Sequence, residues 1–297
     1  MKTKVIRQFD PETLQAILQI EAATYPPEWA FEDAETFFTE LMENPEVIVI
    51  LLENEALPVG VLLAEPHDGI LEDFDDPLMQ PSPGRYYVDE LATIPDIKGQ
   101  GGCSTLVRAF INECLYRGIT QISMHARITN GFNAIMKRKF EVTDSRIIEN
   151  WPYYNGEEST EYLEANIILL HLPPIEIKVI PHEQQRFNCA GDWFFNEDGT
   201  LVVNVSSMKA LIYELAVAEH EVGEAIKCLI VGITHKQVDA FEEVANQKDI
   251  TDYTGAPHLK EHLESEAIEK LIIEQHGFNW DGEYDSSIRE LYKNRGN

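Results

Sequence analysis

The sequence predicts an α+β protein with a mixed sheet flanked by helices, followed by a small, mainly helical domain that carries a β-hairpin. In the first half, strand and helix signals follow each other in an irregular order, which excludes a regular βαβ repeat. Pro173-Pro174 can continue neither a helix nor a central strand. Long helical patterns predominate after this pair. We therefore expect a first domain over 1–172, a linker over 173–180 and a second domain over 181–297.

The balance of charge excludes some partners. The 297 residues contain 23 Lys and Arg against 52 Asp and Glu, which gives a formal net charge of −29. So acidic a chain lacks the basic surface with which proteins bind nucleic acids nonspecifically or dock on anionic membranes. The sequence contains no apolar stretch approaching the roughly 18 to 20 residues of a membrane span. The four cysteines lack the spacing of a disulfide framework. We expect a cytoplasmic protein with neither a nucleic acid nor a membrane as partner.

The elements of the first half are predicted from apolar runs and capping signals. Asp10-Pro11 is a favourable N-cap and N1 pair. Apolar runs over 47–54 and 58–65 flank a turn-like segment and predict a hairpin. An acidic loop is expected over 67–84. The remaining strands are expected near 3–9, over 85–94, over 121–127 and in two later segments, and the helices from Asp10 and over 31–43, 101–117 and 131–138.

A glycine-rich turn between a strand and an amphipathic helix, within 89–114, is the most informative segment of this half. Glycines allow the backbone to approach an anion closely, and the first N–H groups of a helix have no acceptor within it. Such a turn binds phosphate or pyrophosphate. The spacing is neither GxGxxG followed by a ribose-binding acid nor GxxxxGK[ST], which excludes both of those nucleotide-binding folds.

The string LATIPDIKGQGGC over 91–103 resembles the signature of the GNAT-type N-acetyltransferase superfamily, a strand with a hydrophobic-x-Pro step followed by [RQ]xxGx[GA] at a helix start. Lys98 replaces Arg or Gln, and Cys103 replaces the last small residue. The resemblance covers 1–172. It implies that acetyl-CoA binds with its pantetheine arm along the strand and its pyrophosphate on the turn. The implied cofactor-binding residues are Leu91, Ala92, Thr93, Lys98, Gly99, Gln100, Gly101, Gly102, Cys103 and Ser104.

The resemblance also implies direct transfer of the acetyl group to an amine. Glu90, at the end of the signature strand, is the candidate general base, with a solvated strand-end acid as the alternative interpretation. The tyrosine that usually protonates the departing thiolate is missing from the following helix, where Lys137 and Arg138 stand. Tyr153 and Tyr154 are the candidate replacements, with packing aromatics as the alternative.

Charge is distributed unevenly in this half. Residues 98–146 hold eight basic and three acidic residues, whereas residues 1–97 hold four basic and 21 acidic residues. A local basic field suits the phosphates of CoA. The acidic lobe suits a cationic amine acceptor, a small molecule or a protein, although acidic surfaces also serve solubility.

The second half carries two histidine motifs on predicted helices. A hairpin is expected over 191–207, and helices over 208–232, from Thr234, and over 257–276 and 284–293. His220-Glu221-x-x-Glu224 places two ligand types one helical turn apart, and 258–262 reads HxxEH, an inverted zinc motif. Acidic helices also form His–Glu pairs without a metal, and that alternative stays open.

The metal ligands predicted from these motifs are His220, Glu224 and His262, which with a water make a His₂Glu site for Zn²⁺. Mn and Fe have similar ligand preferences. Glu221 is the candidate base that activates the water. The reserve ligands or supporting groups are His258, Asp239 and Glu269.

The same region resembles an uncharacterised, metalloprotease-like domain found mainly in bacteriophage proteins, with the pattern HExxEAxxC, a VDxFD-like step, EHxxA and a Glu. Glu242 and Ser265 depart from that pattern. If the protein is phage-encoded, its cytoplasmic location is the host's. The matching residues are His220, Glu221, Glu224, Ala225, Cys228, Val238, Asp239, Phe241, Glu261, His262 and Glu269.

The function predicted from the sequence is an acetyl-CoA-dependent N-acetyltransferase with an appended metal-binding domain. One alternative is a metal-dependent hydrolase whose first domain only binds a ligand. A second alternative is a non-catalytic acidic adaptor that binds a basic partner protein.

Overall fold

The computed structural model describes residues 1–29, 33–71, 74, 76, 79–154, 158–167, 173–248 and 254–294. The chain divides into two compact units, one of Met1–Cys114 with Ile119–Ile168 and the other of Leu115–Gly118 with Leu169–Asn297. No helix among these residues is long and apolar enough to cross a bilayer.

The first unit is built on a seven-stranded mixed sheet with helices on both faces, as the sequence predicts. Its strands run in the order β1-β2-β3-β4-β5-β7-β6, and β4 and β5 form its parallel pair. The strands are β1 (Lys2–Ile6), β2 (Ile48–Asn54), β3 (Leu57–Pro66), β4 (Arg85–Thr93), β5 (Gln121–Arg127), β6 (Glu141–Ile148) and β7 (Thr160–Asn166). The helices are α1 (Pro11–Thr24), α2 (Ala34–Glu43), α3 (Gly102–Arg117) and α4 (Phe132–Lys139).

The sheet is buried on both faces, which explains its continuous apolar runs. Alternate side chains of a strand point to opposite faces. In β2, Ile48, Ile50 and Leu52 pack in the core that includes α3, whereas Val49 and Leu51 pack in the core that includes α1 and α2. The predicted hairpin over 47–54 and 58–65 is confirmed as β2 and β3.

The end of β1 differs from the sequence prediction. Strand β1 ends at Ile6 rather than near residue 9, because Asp10 turns the chain into α1 by accepting hydrogen bonds from the N–H groups of Glu12 and Thr13. Helix α2 begins at Ala34. The start expected at residue 31 lies outside the described residues.

Strands β4 and β5 diverge, and this opens the centre of the sheet. Their parallel ladder joins only Arg85–Tyr87 to Gln121–Ser123, although β4 continues to Thr93 and β5 to Arg127. A bulge in β4 lies at the same place, since Val88 pairs with Ala64 and Glu90 with Leu63. The bulge leaves Asp89 as an extra residue and increases the local twist.

The second unit combines a three-stranded sheet with helices. Its sheet has the order β8-β10-β9, with β8 (Ile175–Ile180), β9 (Gly191–Phe195) and β10 (Leu201–Ser206). Strands β9 and β10 form the predicted hairpin. The helices are α5 (Leu211–Val231), α6 (His235–Lys248), α7 (Leu259–Gln275) and α8 (Asp285–Asn294), and one π-helical turn covers Trp280–Tyr284.

Most of the segment predicted as a linker, 173–180, is a strand of this sheet. Residues 175–180 form β8 and pair in parallel with β10 over its whole length. The Pro173-Pro174 pair lies just before the strand, at a position where the missing N–H groups cost no ladder bond. The proline signal therefore marks the approach to an edge strand rather than a linker.

Candidate functional sites

The glycine turn before α3 has the local geometry that its sequence predicts. Gly99 and Gly101 have φ angles of 79° and 86°, in the left-handed region that favours glycine. Gly102 has a different role, because an added Cβ would lie 2.8 Å from Ile97 Cδ1 and 3.1 Å from Leu52 Cδ2. Two glycines thus bend the turn, and the third lets the helix start pack closely on the core.

The N-terminus of α3 presents backbone donors. The N–H of Thr105 donates to the carbonyl of Gly101 at 3.0 Å and closes the first helical turn. The N–H groups of Gly102, Cys103 and Ser104 precede that bond and point out of the helix. The Gln100 N–H, which we expected in the same set, donates instead to the carbonyl of Ile97 at 3.1 Å, because the turn folds back on itself there.

A cation that the sequence analysis did not place at this turn lies beside it. Lys139, the last residue of α4, donates from Nζ to Ser104 Oγ at 2.7 Å. Lys98, the cation we expected, is on the exposed part of the turn. The basic run Lys137–Lys139 was the available signal, but only the fold shows which member reaches α3. Backbone donors, a lysine and an open turn fit a pyrophosphate.

The predicted site for the pantetheine arm is the edge of β4. Leu91, Ala92 and Thr93 pair on one side with β3. They lie beyond the last rung of the ladder between β4 and β5. An extended amide chain fits beside such a strand edge, since strand backbone groups accept an added strand. The geometry of this segment therefore fits the predicted group.

Glu90 is buried on β4, one residue beyond the bulge. Tyr25, the residue that ends α1, donates its hydroxyl proton to Glu90 Oε1. Burial raises the pKa of Glu90 to about 7, and the Tyr25 hydrogen bond opposes that rise. A carboxyl group with a pKa near neutrality is suited to accept a proton.

Further acidic side chains surround Glu90. Glu21 of α1 is buried and raises the Glu90 pKa by its charge. Asp89, the extra residue of the bulge, has a pKa well above its ordinary value, because it is buried beside Glu65 and Glu90. On the other side, Arg127 at the end of β5 lowers the Glu90 pKa slightly. The site is thus rich in carboxyl groups, and burial together with their mutual repulsion raises the pKa of Asp89 and Glu90.

Aromatic rings and one arginine flank this site. The Arg127 guanidinium lies 3.9 Å from the centroid of the Trp29 ring and pairs with Glu158 at 3.1 Å. Trp29 in turn lies 6.4 Å from the Tyr25 ring, centroid to centroid. These contacts bring the end of α1 to the end of β5 beside Glu90.

Tyr87, which sequence reasoning did not single out, is buried where β4 and β5 begin to diverge. Tyr87, on the last rung between β4 and β5, places its hydroxyl 2.9 Å from His125 Nδ1. Burial lowers the pKa of His125 to about 3, so this ring is neutral at pH 7. Tyr153, one of the two replacements we considered, packs against Phe74 and Trp151. The side chain of Tyr154 lies outside the described residues.

In the second unit, a cavity of about 290 Å³ contains the predicted metal ligands. His220 and Glu224 come from α5 and His262 from α7. His262 Nδ1 lies 2.8 Å from Glu224 Oε2 and 3.2 Å from His220 Nε2. His220 Nε2 lies 3.4 Å from the same Glu224 oxygen. The fold therefore brings three ligand atoms together, although His220 and His262 lie 42 residues apart in the chain.

These distances fit a metal. With metal–ligand bonds of about 2.0 to 2.1 Å, the ligand atoms of a tetrahedral site lie roughly 3.3 Å apart. The three separations given above lie around that value, and two imidazoles with one carboxylate form a donor set that zinc prefers. The residues present thus fit the predicted divalent cation.

The candidate base and the reserve ligands lie at different distances from the three predicted metal ligands. Glu221 lines the cavity, and burial raises its pKa well above the ordinary value. Glu269 contacts His220 Nδ1 at 2.7 Å. His258 Nε2 lies 3.8 Å from Glu224 Oε1. Asp239 does not join the cluster and pairs instead at 2.8 Å with the guanidinium of Arg186, which also binds Asp192.

Comparison with known proteins bears on the family resemblance of the first unit. Residues 14–135 match the model of the Acetyltransferase (GNAT) family. This match supports a GNAT acetyltransferase domain in the first unit. It does not extend into the second unit, so the phage-type metalloprotease-like resemblance stays a prediction. No curated protein matches the sequence.

Several solved structures of acetyltransferases are similar to the chain, at low sequence identity. The ribosomal-protein-S18-alanine N-acetyltransferase of Escherichia coli is 16% identical over 57% of this chain and 97% of its own, with a TM-score of 0.43. The aminoglycoside 6'-N-acetyltransferase of Enterococcus faecium is 17% identical over 58% and 100%, with a TM-score of 0.42. The PaiA N-acetyltransferase of Thermoplasma acidophilum, in complex with coenzyme A, is 10% identical over 56% and 99%, at 0.41. The GNAT assignment rests on the family match.

Proposed function

We propose that the GNAT domain transfers an acetyl group from acetyl-CoA to a cationic amine, with Glu90 as the general base. The observation that carries this proposal is the position of Glu90. This buried carboxyl group, with a pKa of about 7, lies where β4 and β5 diverge. The glycine turn at the start of α3 follows the same strand.

Three parts of the domain would hold acetyl-CoA. The N–H groups of Gly102, Cys103 and Ser104, together with Lys139, would bind the pyrophosphate. The edge of β4 over Leu91–Thr93 would pair with the amides of the pantetheine arm. Bound acetyl-CoA supplies the activated acetyl thioester.

Glu90 would deprotonate the acceptor. An amine attacks only in its neutral form, whereas aliphatic amines carry a proton at pH 7. The Glu90 carboxylate accepts that proton at Oε1 or Oε2, directly or through one water. Tyr25 holds Oε1 in place through its hydrogen bond. We propose Tyr87, on the last rung between β4 and β5, as the donor of a proton to the leaving group.

The surroundings of Glu90 favour a cationic acceptor. Glu21 and Asp89 place further carboxyl groups near Glu90, and Glu65 lies beside Asp89. A buried carboxyl group is ionised more readily when a cation enters, since the opposite charge lowers its pKa. A protonated amine would thus bring Glu90 into its basic form as it binds.

The test is a thermal-shift titration with acetyl-CoA followed by thiol-release assays with a panel of amines. We expect acetyl-CoA to raise Tm and diamines or polyamines to outperform neutral acceptors. Glu90→Gln should lower kcat by about 10²- to 10⁴-fold while the acetyl-CoA shift remains. Glu43→Gln, at the exposed end of α2, is the matched control. An unchanged Tm at saturating acetyl-CoA would contradict the proposal.

We propose a second function for the second unit, metal-dependent hydrolysis. The specific observation in its favour is the convergence of His220 Nε2, His262 Nδ1 and Glu224 Oε2 in one cavity. A divalent cation held there would supply Lewis-acid chemistry to a hydrolytic reaction. Glu221, on the same helix and lining the same cavity, would accept the proton of the attacking water once the charge of the bound cation has lowered its pKa.

Elemental analysis of the purified full-length protein tests this second function. We expect about one transition-metal ion per chain, with zinc as the first candidate, and loss of that ion in His220→Ala with His262→Ala. Glu221→Gln should retain the metal and lose hydrolysis of a peptide or ester panel. Folded protein that stays metal-free after dialysis against zinc would contradict the proposal.

A further inference from the structure

The predicted metal ligands of the second unit are themselves held by neighbouring side chains. His220 and Glu224 each use one atom toward the cluster and a second atom toward another residue. Groups that hold a ligand from behind fix its orientation and, for histidine, its tautomer. The inference below rests on the metal site proposed above.

His220 is held through a chain of two hydrogen bonds. Its Nδ1 lies 2.7 Å from Glu269 Oε2. The other Glu269 oxygen, Oε1, accepts a hydrogen bond from the Tyr284 hydroxyl. Both Glu269 and Tyr284 are buried. Because a carboxylate only accepts, Nδ1 of His220 carries the proton, and the lone pair of a neutral ring lies on Nε2.

Glu224 is held in a corresponding way. Trp193 of β9 donates its indole N–H to Glu224 Oε1 at 2.8 Å. An indole nitrogen is a donor only, so it stabilises the carboxylate form. Oε1 is thereby engaged, and Oε2 is the oxygen that lies near both histidines. The contact directs one defined oxygen of Glu224 to the cluster.

His262 reaches the cluster with the opposite ring nitrogen. Its Nδ1, and not Nε2, lies 2.8 Å from Glu224 Oε2 and 3.2 Å from His220 Nε2. Its side chain is 24% exposed, whereas the His220 side chain is buried. The two histidines therefore contribute chemically different nitrogens to the cluster.

We propose that Glu269, Tyr284 and Trp193 are positioning residues of a metal site that binds its ion through His220 Nε2, His262 Nδ1 and Glu224 Oε2. Glu269 and Tyr284 set the His220 tautomer, and Trp193 sets the carboxylate oxygen. The ion class is a divalent transition metal that accepts two imidazoles and one carboxylate, with zinc as the best match.

Chelator competition measures the first half of this proposal. The zinc Kd of the full chain is compared among the wild type, Glu269→Gln, Tyr284→Phe and Trp193→Phe. Each variant should bind zinc about 10- to 100-fold more weakly, as the loss of an outer hydrogen bond does in other metal sites. Glu274→Gln, on the exposed part of the same helix, is the matched control and should leave Kd unchanged.

The outcomes separate the inference from the function on which it rests. If the wild type binds no zinc, the metal-site proposal fails and this one with it. If the wild type binds zinc and all three variants match it, only the positioning role is overturned. Circular dichroism and Tm establish that each variant is folded. Tyr284→Phe keeps the ring and removes only the hydroxyl. If Glu269→Gln unfolds, the zinc Kd of Tyr284→Phe therefore tests the positioning role.

Nitrogen NMR on histidine-labelled protein tests the second half. In the zinc-loaded protein, His220 should keep its proton on Nδ1, which faces Glu269. Adding Zn²⁺, or Cd²⁺ with its observable ¹¹³Cd coupling, should shift Nε2 of His220 and Nδ1 of His262. Binding through the same nitrogen in both rings would overturn the assignment. In Glu269→Gln the tautomer preference of His220 should weaken, which a purely structural role of Glu269 would not produce.

Discussion

Tyr25 donates its hydroxyl proton to Glu90, and this hydrogen bond joins the end of α1 to strand β4. It favours the carboxylate form of Glu90 against the burial that raises its pKa. The contact therefore lowers the pH at which Glu90 loses its proton.

Removing the Tyr25 hydroxyl should move the pH profile. In Tyr25→Phe the pKa of Glu90 should rise above its present value of about 7, because one interaction that lowers it is lost. A base acts in its deprotonated form, so the acidic limb of kcat/KM should shift to higher pH. Activity should fall at pH 7 and recover near pH 9. An acidic limb that stays in place would contradict the role of Glu90 as the base.

Glu90 should also lower the free energy of unfolding of the first unit at high pH. Its folded-state pKa of about 7 exceeds the ordinary 4.5, so the native state holds an extra proton between these values. Stability therefore falls as pH rises through this window. At pH 8 the cost is about 3 kcal/mol, from a shift of roughly 2.5 pH units. Glu90→Gln should raise the free energy of unfolding at pH 8 relative to the wild type and change it less at pH 5. Urea unfolding at both pH values measures the difference, and an equal effect at the two would speak against the shifted pKa.

The close packing of Gly102 predicts a stability cost of substitution. In Gly102→Ala the new Cβ would lie 2.8 Å from Ile97 Cδ1, so the end of that side chain, which is buried in the core, has to shift. We expect a loss of about 1 to 3 kcal/mol in the free energy of unfolding. Gly69→Ala is the control, since its nearest neighbour lies 3.8 Å away at the end of a flexible side chain. Denaturant unfolding of the two variants checks this, and equal stabilities would refute the packing argument.

Lys139 should contribute to binding of the cofactor's phosphates. Lys139→Gln removes a cation beside Ser104 at the start of α3. We expect CoA to bind about 10-fold more weakly, a typical effect of losing one charge-assisted hydrogen bond. The effect should shrink at high salt. The exposed neighbour Arg138 provides the control as Arg138→Gln. Isothermal titration with CoA measures both, and matching affinities would place the phosphates elsewhere.

Arg186 should stabilise the second unit. Its guanidinium binds Asp192 at 2.6 Å and Asp239 at 2.8 Å, and Asp192 is buried. Arg186→Gln would leave a buried carboxylate without its cation, at a cost of about 2 kcal/mol for this partly exposed pair. Asp192→Asn in the same chain should restore part of the loss. Thermal unfolding of the single and double variants measures it, and additive losses would argue against direct pairing.

Features formed by residues close in the chain could be predicted from the sequence. The hairpin of β2 and β3 followed from its apolar runs, and the glycine turn from the positions of Gly99 and Gly101. These features depend on residues close in the chain. The same holds for His220 and Glu224, which one helical turn brings together.

Contacts between residues far apart in the chain could not be predicted from local sequence patterns. Nothing near Lys139 indicates that it reaches Ser104, 35 residues earlier in the chain. The pairing of β8 with β10 joins residues 26 positions apart in the chain, so the proline pair was misread as a linker. Similarly, the contact of Trp193 with Glu224 requires the packing of β9 on α5. Such contacts are set by tertiary packing, which no local pattern encodes.

The short ladder between β4 and β5 has a mechanical consequence. The large sheet consists of two antiparallel arms, β1 to β4 and β5 to β6, that share three rungs at a central seam. A seam with so few bonds should open more readily than either arm. A ligand that lies in the divergence would tie the arms together and stabilise the whole unit by mass action. Backbone amides on both sides of the seam should then exchange hydrogen more slowly when the ligand is bound, and those within each arm should change little.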